Sequence, residues 1–359
     1  MKRRLSDPHL PRHALQADKR GGGALILIIT GFRAFVATVI HTPELGNAFW
    51  LAILLGMALG MIPAGLHWLI HRAGGGPAEK DRMEKGWLSL LPALIWIPVF
   101  LMDGALVFQT LVSSADFATN SVSHFVVQSG TALGLFFLCK CGAGSIGGAS
   151  MVYIRLGMIL AAVVLIVQLP NMHLRWLTPI LGAGWPILIR CSLRTAGLFS
   201  LSAAIPAAID PEADKTGRLA FLCILISGLT AAAMAAVYTM MAPALPSAPS
   251  FQTFRLDTVL SNGRSPLALQ FPISLIWFGG LFLTLGGETA LCVRWIKRLL
   301  PRLRESLFCG AAALFLLIFN ISGAVDLMFH PEIWYFPLAC VPLLLRLVLI
   351  LVRRRKVTS

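Results

Sequence analysis

The charges of this chain divide it into ten apolar stretches, each about as long as a bilayer is thick. A helix needs roughly 20 mostly apolar residues to cross the hydrocarbon. Stretches of that length run at about 23–42, 47–70, 87–112, 122–139, 150–169, 183–208, 218–241, 267–293, 305–325 and 333–352. Within them Leu, Ala, Met and Gly recur without alternation, which favours helices over a barrel. The pattern predicts an all-α polytopic membrane protein in three parts: a basic segment over 1–22, a ten-helix domain over 23–352 and a basic tail over 353–359. Composition agrees, with 57% hydrophobic and 13% charged residues, against about 45–50% and about 25% in soluble domains. That balance excludes collagen, disorder, small disulfide scaffolds and ordinary cytosolic enzymes. The first span is long, carries Arg33 in its middle and has no small-x-small site after it, so it reads as a retained helix rather than a cleaved signal.

The net charge of +14 has a topological reading. With the N-terminus inside, 22 of the 30 Lys and Arg fall in cytoplasmic segments, and only Arg175, Arg255 and Arg264 fall outside. Such a bias predicts both termini in the cytoplasm and an even number of spans. It accounts for most of the basicity without a nucleic-acid partner. The seven cysteines lie in or beside spans and form no C-x-x-C, so they read as small packing residues.

The informative residues are the polar ones at bilayer depth. The first span reads Ile29-Thr30-Gly31-Phe32-Arg33 near its midpoint, and the sixth reads Arg194-Thr195-Ala196-Gly197 near its own. The two places are equivalent if ten helices divide into two halves of five, and interrupted helices at matching places point to a transporter's central site. The plainer reading is that these glycines only let helices pack closely. Asp103 in span 3 and Glu288 in span 8 are equivalent under the same division. A carboxylate in the membrane should face the bundle and find a partner, and Arg33 and Arg194 are the natural candidates. Glu288, a few residues from Arg294, reads equally as solvated charge at the interface. Arg155, Arg190 and Arg346 lie near span ends, where their stems can snorkel.

Other motifs carry less. Gly142-Ala-Gly-Ser-Ile-Gly147 matches G-x-G-x-x-G but follows a span and has no βαβ context, so it reads as a turn. His67 and His71 lack the glutamate of H-E-x-x-H and read as an interfacial pair. No catalytic constellation, metal-ligand set or cofactor motif stands out. The connection 242–266 carries Pro243, Pro246 and Pro249 and is long enough to be a lid or a partner surface. The basic segment Arg294–Arg304 suits anionic headgroups.

In layout the chain resembles the B-subunit family of spore germination nutrient receptors, within the amino acid–polyamine–organocation transporter superfamily. The local text that carries the resemblance is Thr42–Gly56, entering the second helix; Leu177–Pro186, approaching the sixth; and Trp334 to Lys356, the last helix and basic tail. Members often carry a glutamate just after the break in helix six; Gly197–Ser202 has none, and Arg194 stands just before it. The resemblance implies a five-plus-five inverted-repeat fold with broken helices 1 and 6 and a ligand pocket among helices 1, 3, 6 and 8. It also implies a large membrane subunit and a lipoprotein subunit as partners, in the spore inner membrane.

These lines converge on a bilayer-embedded subunit that binds a small nutrient such as an amino acid. The candidate ligand-binding residues are Thr30, Gly31, Arg33, Asp103, Arg194, Thr195, Gly197 and Glu288. An autonomous ion-coupled amino-acid permease and a non-transporting membrane scaffold subunit are the alternatives.

Overall fold

The computed structural model describes residues 19–73, 90–119, 123–168, 170, 172–178, 184–205, 214–241, 267–300, 302, 304–323, 334–341, 343–345 and 347–348. The basic tail, most of the N-terminal segment and the connection 242–266 lie outside the described residues. The helices are α1 (Lys19–Leu45), α2 (Phe49–Ala73), α3 (Leu90–Thr119), α4 (His124–Gln168) and α5 (Trp185–Ser200). They continue as α6 (Asp214–Met241), α7 (Leu267–Leu299), α8 (Glu305–Ile321) and α9 (Trp334–Leu345). No strand occurs among the described residues.

One helix hides two spans. The 45 residues of α4 would reach about 68 Å at 1.5 Å per residue, more than twice the hydrocarbon thickness of about 30 Å. The helix is interrupted at Gly142, with φ 78° and ψ 160°, a conformation that glycine adopts without the penalty a side chain would bring. Split there, α4 supplies the fourth and fifth spans, and the described helices match the ten apolar stretches in order. The G-x-G-x-x-G text is thus a kink in the chain at its first glycine, followed directly by helix. Among the described residues, four helical stretches are long and apolar enough to cross a membrane: Gly46–Ile70, Leu94–Ser113, His124–Ile159, which contains the Gly142 kink, and Arg218–Val237.

The packing follows the five-plus-five division. With α1 matched to α5, α2 to α6 and α3 to α7, the α2–α5 pair corresponds to the α6–α1 pair, and both pack extensively. The pairs α2–α6 and α3–α7 map onto themselves and are also packed. Two cores result. One joins the C-terminal part of α1 with α2, α5 and α6 through Phe49, Ile53, Met57, Leu188, Phe199 and Ile224. The other joins α3, α4, α7 and α8 through Phe108, Leu135, Leu281, Leu285 and Leu316. A third cluster lies between them, where Leu25, Ile26 and Ile29 of α1 meet Phe100, Leu291 and Tyr335. The molecule is therefore two helix groups with α1 at their junction.

Large apolar side chains such as Leu156, Met158, Leu307 and Ile318 face outward, as a lipid-facing surface requires. Arg155 and Arg190 are exposed, consistent with snorkelling. Six of the seven cysteines are buried and Cys141 is exposed; none is disulfide-bonded. His67, expected at an interface, is instead buried at 4% exposure, because α2 turns that face towards its neighbours.

Two local expectations are corrected. Helix α1 runs through Ile29–Arg33 as continuous helix. Thr30 does not break it, because its hydroxyl bonds back to the Ile26 carbonyl at 2.6 Å, which a helix accommodates. Helix α5 likewise passes through Arg194–Gly197 intact and departs from α geometry only at Leu201–Ala203, a 3₁₀ turn. The backbone groups of Thr30–Arg33 and Thr195–Gly197 are therefore engaged in helices.

Candidate functional site

Arg33 projects from α1 into the junction between the two helix groups and is 1% exposed. Its Nε donates to Asp103 Oδ2 of α3 at 2.7 Å. Its Nη2 lies 2.9 Å from Glu288 Oε1 of α7, an ion contact whose angle is too oblique for a hydrogen bond. The guanidinium carbon sits 5.5 Å from the centre of the Phe100 ring, within cation–π range. Asp103 is 1% exposed and Glu288 is fully buried, so the reading of Glu288 as solvated interfacial charge is overturned. Its position on α7 faces α1 and α3 rather than the membrane surface.

The arrangement ties three helices through one fork. A guanidinium presents donors along two edges in fixed geometry, and here each edge addresses a carboxylate from a different helix. Donor capacity is left over: Arg33 Nη1 is buried and, like Nη2, has no hydrogen-bond partner among the described residues, although Nη2 at least has its contact with Glu288. A buried guanidinium nitrogen without an acceptor is costly. It is also the group a ligand's carboxylate or carbonyl would satisfy.

One turn before Arg33, Thr30 Oγ1 lies 2.6 Å from Ser202 Oγ. This contact links α1 to the 3₁₀ turn that ends α5. Ser227 of α6 and Thr284 of α7 direct hydroxyls at the Leu27 and Ile28 carbonyls, each at 3.4 Å. The segment of α1 before Arg33 is thus lined with hydroxyls from three neighbours. Gly31 faces comparatively open space: a Cβ there would meet nothing nearer than Ser227 Oγ at 3.8 Å. Close packing does not require this glycine. Gly31→Ala is expected to leave thermal unfolding in detergent within about 1 kcal/mol of the parent, since only its helix propensity changes.

Arg194 does not join the triad. Its Nη1 contacts Glu44 Oε1 at 2.9 Å, linking α5 to the end of α1. The Cys191 thiol lies 3.6 Å from the other Glu44 oxygen. Thr195 bonds to its own helix, at the Cys191 carbonyl, over 2.9 Å, and the Gly197 carbonyl accepts from Ser200 at 2.6 Å. The eight candidate residues therefore separate into a central group with Arg33, Asp103, Glu288, Thr30 and Gly31, and a second group on α5. Sequence reasoning missed Glu44 and Ser202. Glu44 stands just past the apolar part of the first span, where an acid reads as solvated, and its side chain is indeed 35% exposed. Water reaches the pair only from the Glu44 side, Arg194 being 3% exposed, so Glu44→Gln is expected to cost more than the roughly 0–1 kcal/mol of a surface pair and less than the about 3–5 kcal/mol of a fully buried one, read as a fall in Tm.

Among the described residues no group of three or more His, Cys, Asp or Glu is placed to hold a metal ion.

Comparison with known proteins places the fold. The chain is similar to the Eremococcus coleocola manganese transporter solved with an aromatic bis-isothiourea compound, at 16% identity and a TM-score of 0.55, covering 93% of this chain and 78% of that one. It is also similar to Mhp1, a nucleobase-cation-symport-1 family transporter in a closed conformation with bromovinylhydantoin bound. There the identity is 14% and the TM-score 0.61, over 96% of this chain and 80% of that one. No family model and no curated protein sequence matches the chain. At these identities the likeness establishes the fold: this is an integral membrane protein with the ten-helix architecture of small-molecule transporters.

Proposed function

We propose that the protein binds a small amino-acid-like nutrient at the α1–α3–α7 junction and acts as the membrane subunit of a spore germinant receptor. The observation that carries the binding site is the buried Arg33 fork, which holds Asp103 and Glu288 and keeps Nη1 without a hydrogen-bond acceptor among the described residues. A ligand carboxylate meets Nη1, and a ligand amine meets the surplus negative charge of the two acids. A permanent cation at the centre of the acids opposes a bare metal ion as ligand, because like charges repel strongly where water is excluded. Ligand at this place contacts both helix groups, so it shifts their equilibrium by whatever affinity difference it has for the two arrangements. The resemblance in layout supports the receptor role and, with it, a large membrane subunit and a lipoprotein subunit as partners in the spore inner membrane. The loop charges support cytoplasmic termini. No catalytic step belongs to this reading.

The second reading, an autonomous ion-coupled amino-acid permease of the cell membrane, is favoured by the transporter fold of the structural neighbours. Two measurements separate them. Deleting the gene in the native host should abolish germination with particular nutrients from a panel. Purified protein in vesicles should bind the same nutrients without accumulating label; concentrative uptake by the protein alone would establish the permease instead.

A further inference from the structure

The charges of the central triad do not cancel. Arg33 brings one positive charge, Asp103 and Glu288 bring two negative ones, and the three residues are 1%, 1% and 0% exposed. Among the described residues the surrounding helices add no compensating cation. The titratable groups that face Glu288 are Arg33 from α1, Asp103 from α3 and Cys292 one turn along α7. Tyr335 of α9 faces Arg33. Beside Gly286, Cys139 of α4 and Cys309 of α8 adjoin each other. Thiols and a phenol are neutral or negative, so none offsets the surplus.

The two acids are held differently. Asp103 takes the short Nε–H bond at 2.7 Å, a charge-assisted contact of the stronger kind. Glu288 meets Arg33 only through the oblique 2.9 Å contact at Oε1, and neither of its oxygens has a well-aligned hydrogen bond among the described residues. A Cβ added at Gly104 would lie 3.8 Å from Glu288 Oε2, 3.7 Å from Leu285 and 3.8 Å from Leu316, so this oxygen shares an apolar corner. An ionised carboxylate there would be desolvated with only the Arg33 Nη2 contact at Oε1 to offset it, and that single cation is already shared with Asp103. Two ionised carboxylates also accept only, whereas one proton turns their meeting into a donor–acceptor pair. A proton needs no coordination shell and no cavity.

We infer that Glu288 binds one exchangeable proton in this state, leaving Arg33 and Asp103 as the closed ion pair, and that releasing the proton to water weakens the junction between the two helix groups. Release leaves a second carboxylate anion in the junction and transfers H⁺ to solvent; nothing else changes hands. The inference deepens the proposed function by naming what regulates the same site, yet the proton itself requires no nutrient.

The test is infrared difference spectroscopy of the full chain in lipid vesicles, titrated from acid to alkaline pH with no ligand present. The parent protein should show a protonated-carboxyl C=O band that disappears on titration. Glu288→Gln, neutral and of the same shape, should lack that band while keeping the parent's elution profile. Asp103→Asn removes the surplus charge, so Glu288 can pair with Arg33 as an anion; proton binding should weaken about tenfold or more, and the band should need more acid to appear. Should Glu288→Gln fail to fold, Glu288→Asp is read instead, and its band must move in frequency. A band that survives Glu288→Gln, or that is lost in Asp103→Asn at every pH tested, overturns the inference, as does its absence from the parent. Because no nutrient is added, failure of the ligand-binding reading leaves this outcome unchanged.

Discussion

Arg33→Ala is expected to destabilise the protein by about 3–5 kcal/mol, the cost typical of removing one partner from a buried ion pair, and to abolish nutrient binding. The substitution strands Asp103 at 1% exposure beside Glu288, with no cation among the described residues to replace Arg33. Thermal unfolding in detergent reads the stability loss as a fall in Tm. Arg33→Lys separates charge from shape. An ammonium is a point charge, whereas Nε and Nη2 of the guanidinium address two carboxylates from two helices at 2.7 and 2.9 Å. Lysine should therefore recover part of the stability and little of the binding. Removing all three charges together, as Arg33→Met with Asp103→Asn and Glu288→Gln, should restore much of the Tm, since buried ion clusters are often no more stable than neutral replacements. Nutrient binding should stay lost in that triple variant. If Arg33→Ala unfolds at the parent temperature, the triad does not hold the junction as described.

The layout of the molecule was legible because it rests on one-dimensional quantities. Span lengths and loop charges depend on local composition, and the ten stretches reappear as helices in order. Asp103 and Glu288 stood out because a carboxylate at bilayer depth needs a partner, and both found Arg33. The division of partners was not legible. That Arg33 takes both acids, and that Arg194 takes Glu44, depends on how α1 is rotated against α3, α5 and α7, which no local pattern encodes. The breaks were misplaced for a different reason. Thr30 and Gly31 are poor helix formers in water, but in α1 the threonine hydroxyl bonds within its own helix and apolar surroundings leave the backbone no better acceptor. The irregular turn fell at Leu201–Ala203, where Ser200 and Ser202 engage the Gly197 carbonyl and Thr30. Ser202 thus belongs beside the site although no charge marked it.

Gly60→Ala is expected to destabilise strongly, whereas the same change at Gly65, five residues along α2, should be neutral or stabilising. Helix α2 meets α5 through Gly56 and Gly60, one turn apart, a spacing that lets membrane helices approach closely. A Cβ on Gly56 would come within 2.5 Å of Thr195 Cβ and 2.9 Å of the Ser192 carbonyl oxygen. One on Gly60 would collide with Phe199 Cβ and lie 3.3 Å from the Ala196 carbonyl. The obstacles are backbone and first side-chain carbons, which cannot rotate aside, so α5 must move as a whole. Overpacking of this kind costs about 1–3 kcal/mol, occasionally more, and outweighs the gain of up to about 1 kcal/mol that alanine brings to a helix. At Gly65 nothing lies within 4 Å of the added carbon, so only the helix gain remains. Displacing α5 also shifts Arg194 from Glu44 and Ser202 from Thr30, so Gly60→Ala should weaken nutrient binding although it lies on a helix that contributes none of the candidate ligand-binding residues. Equal Tm values for the Gly60 and Gly65 variants would show that the α2–α5 contact is looser than these distances require.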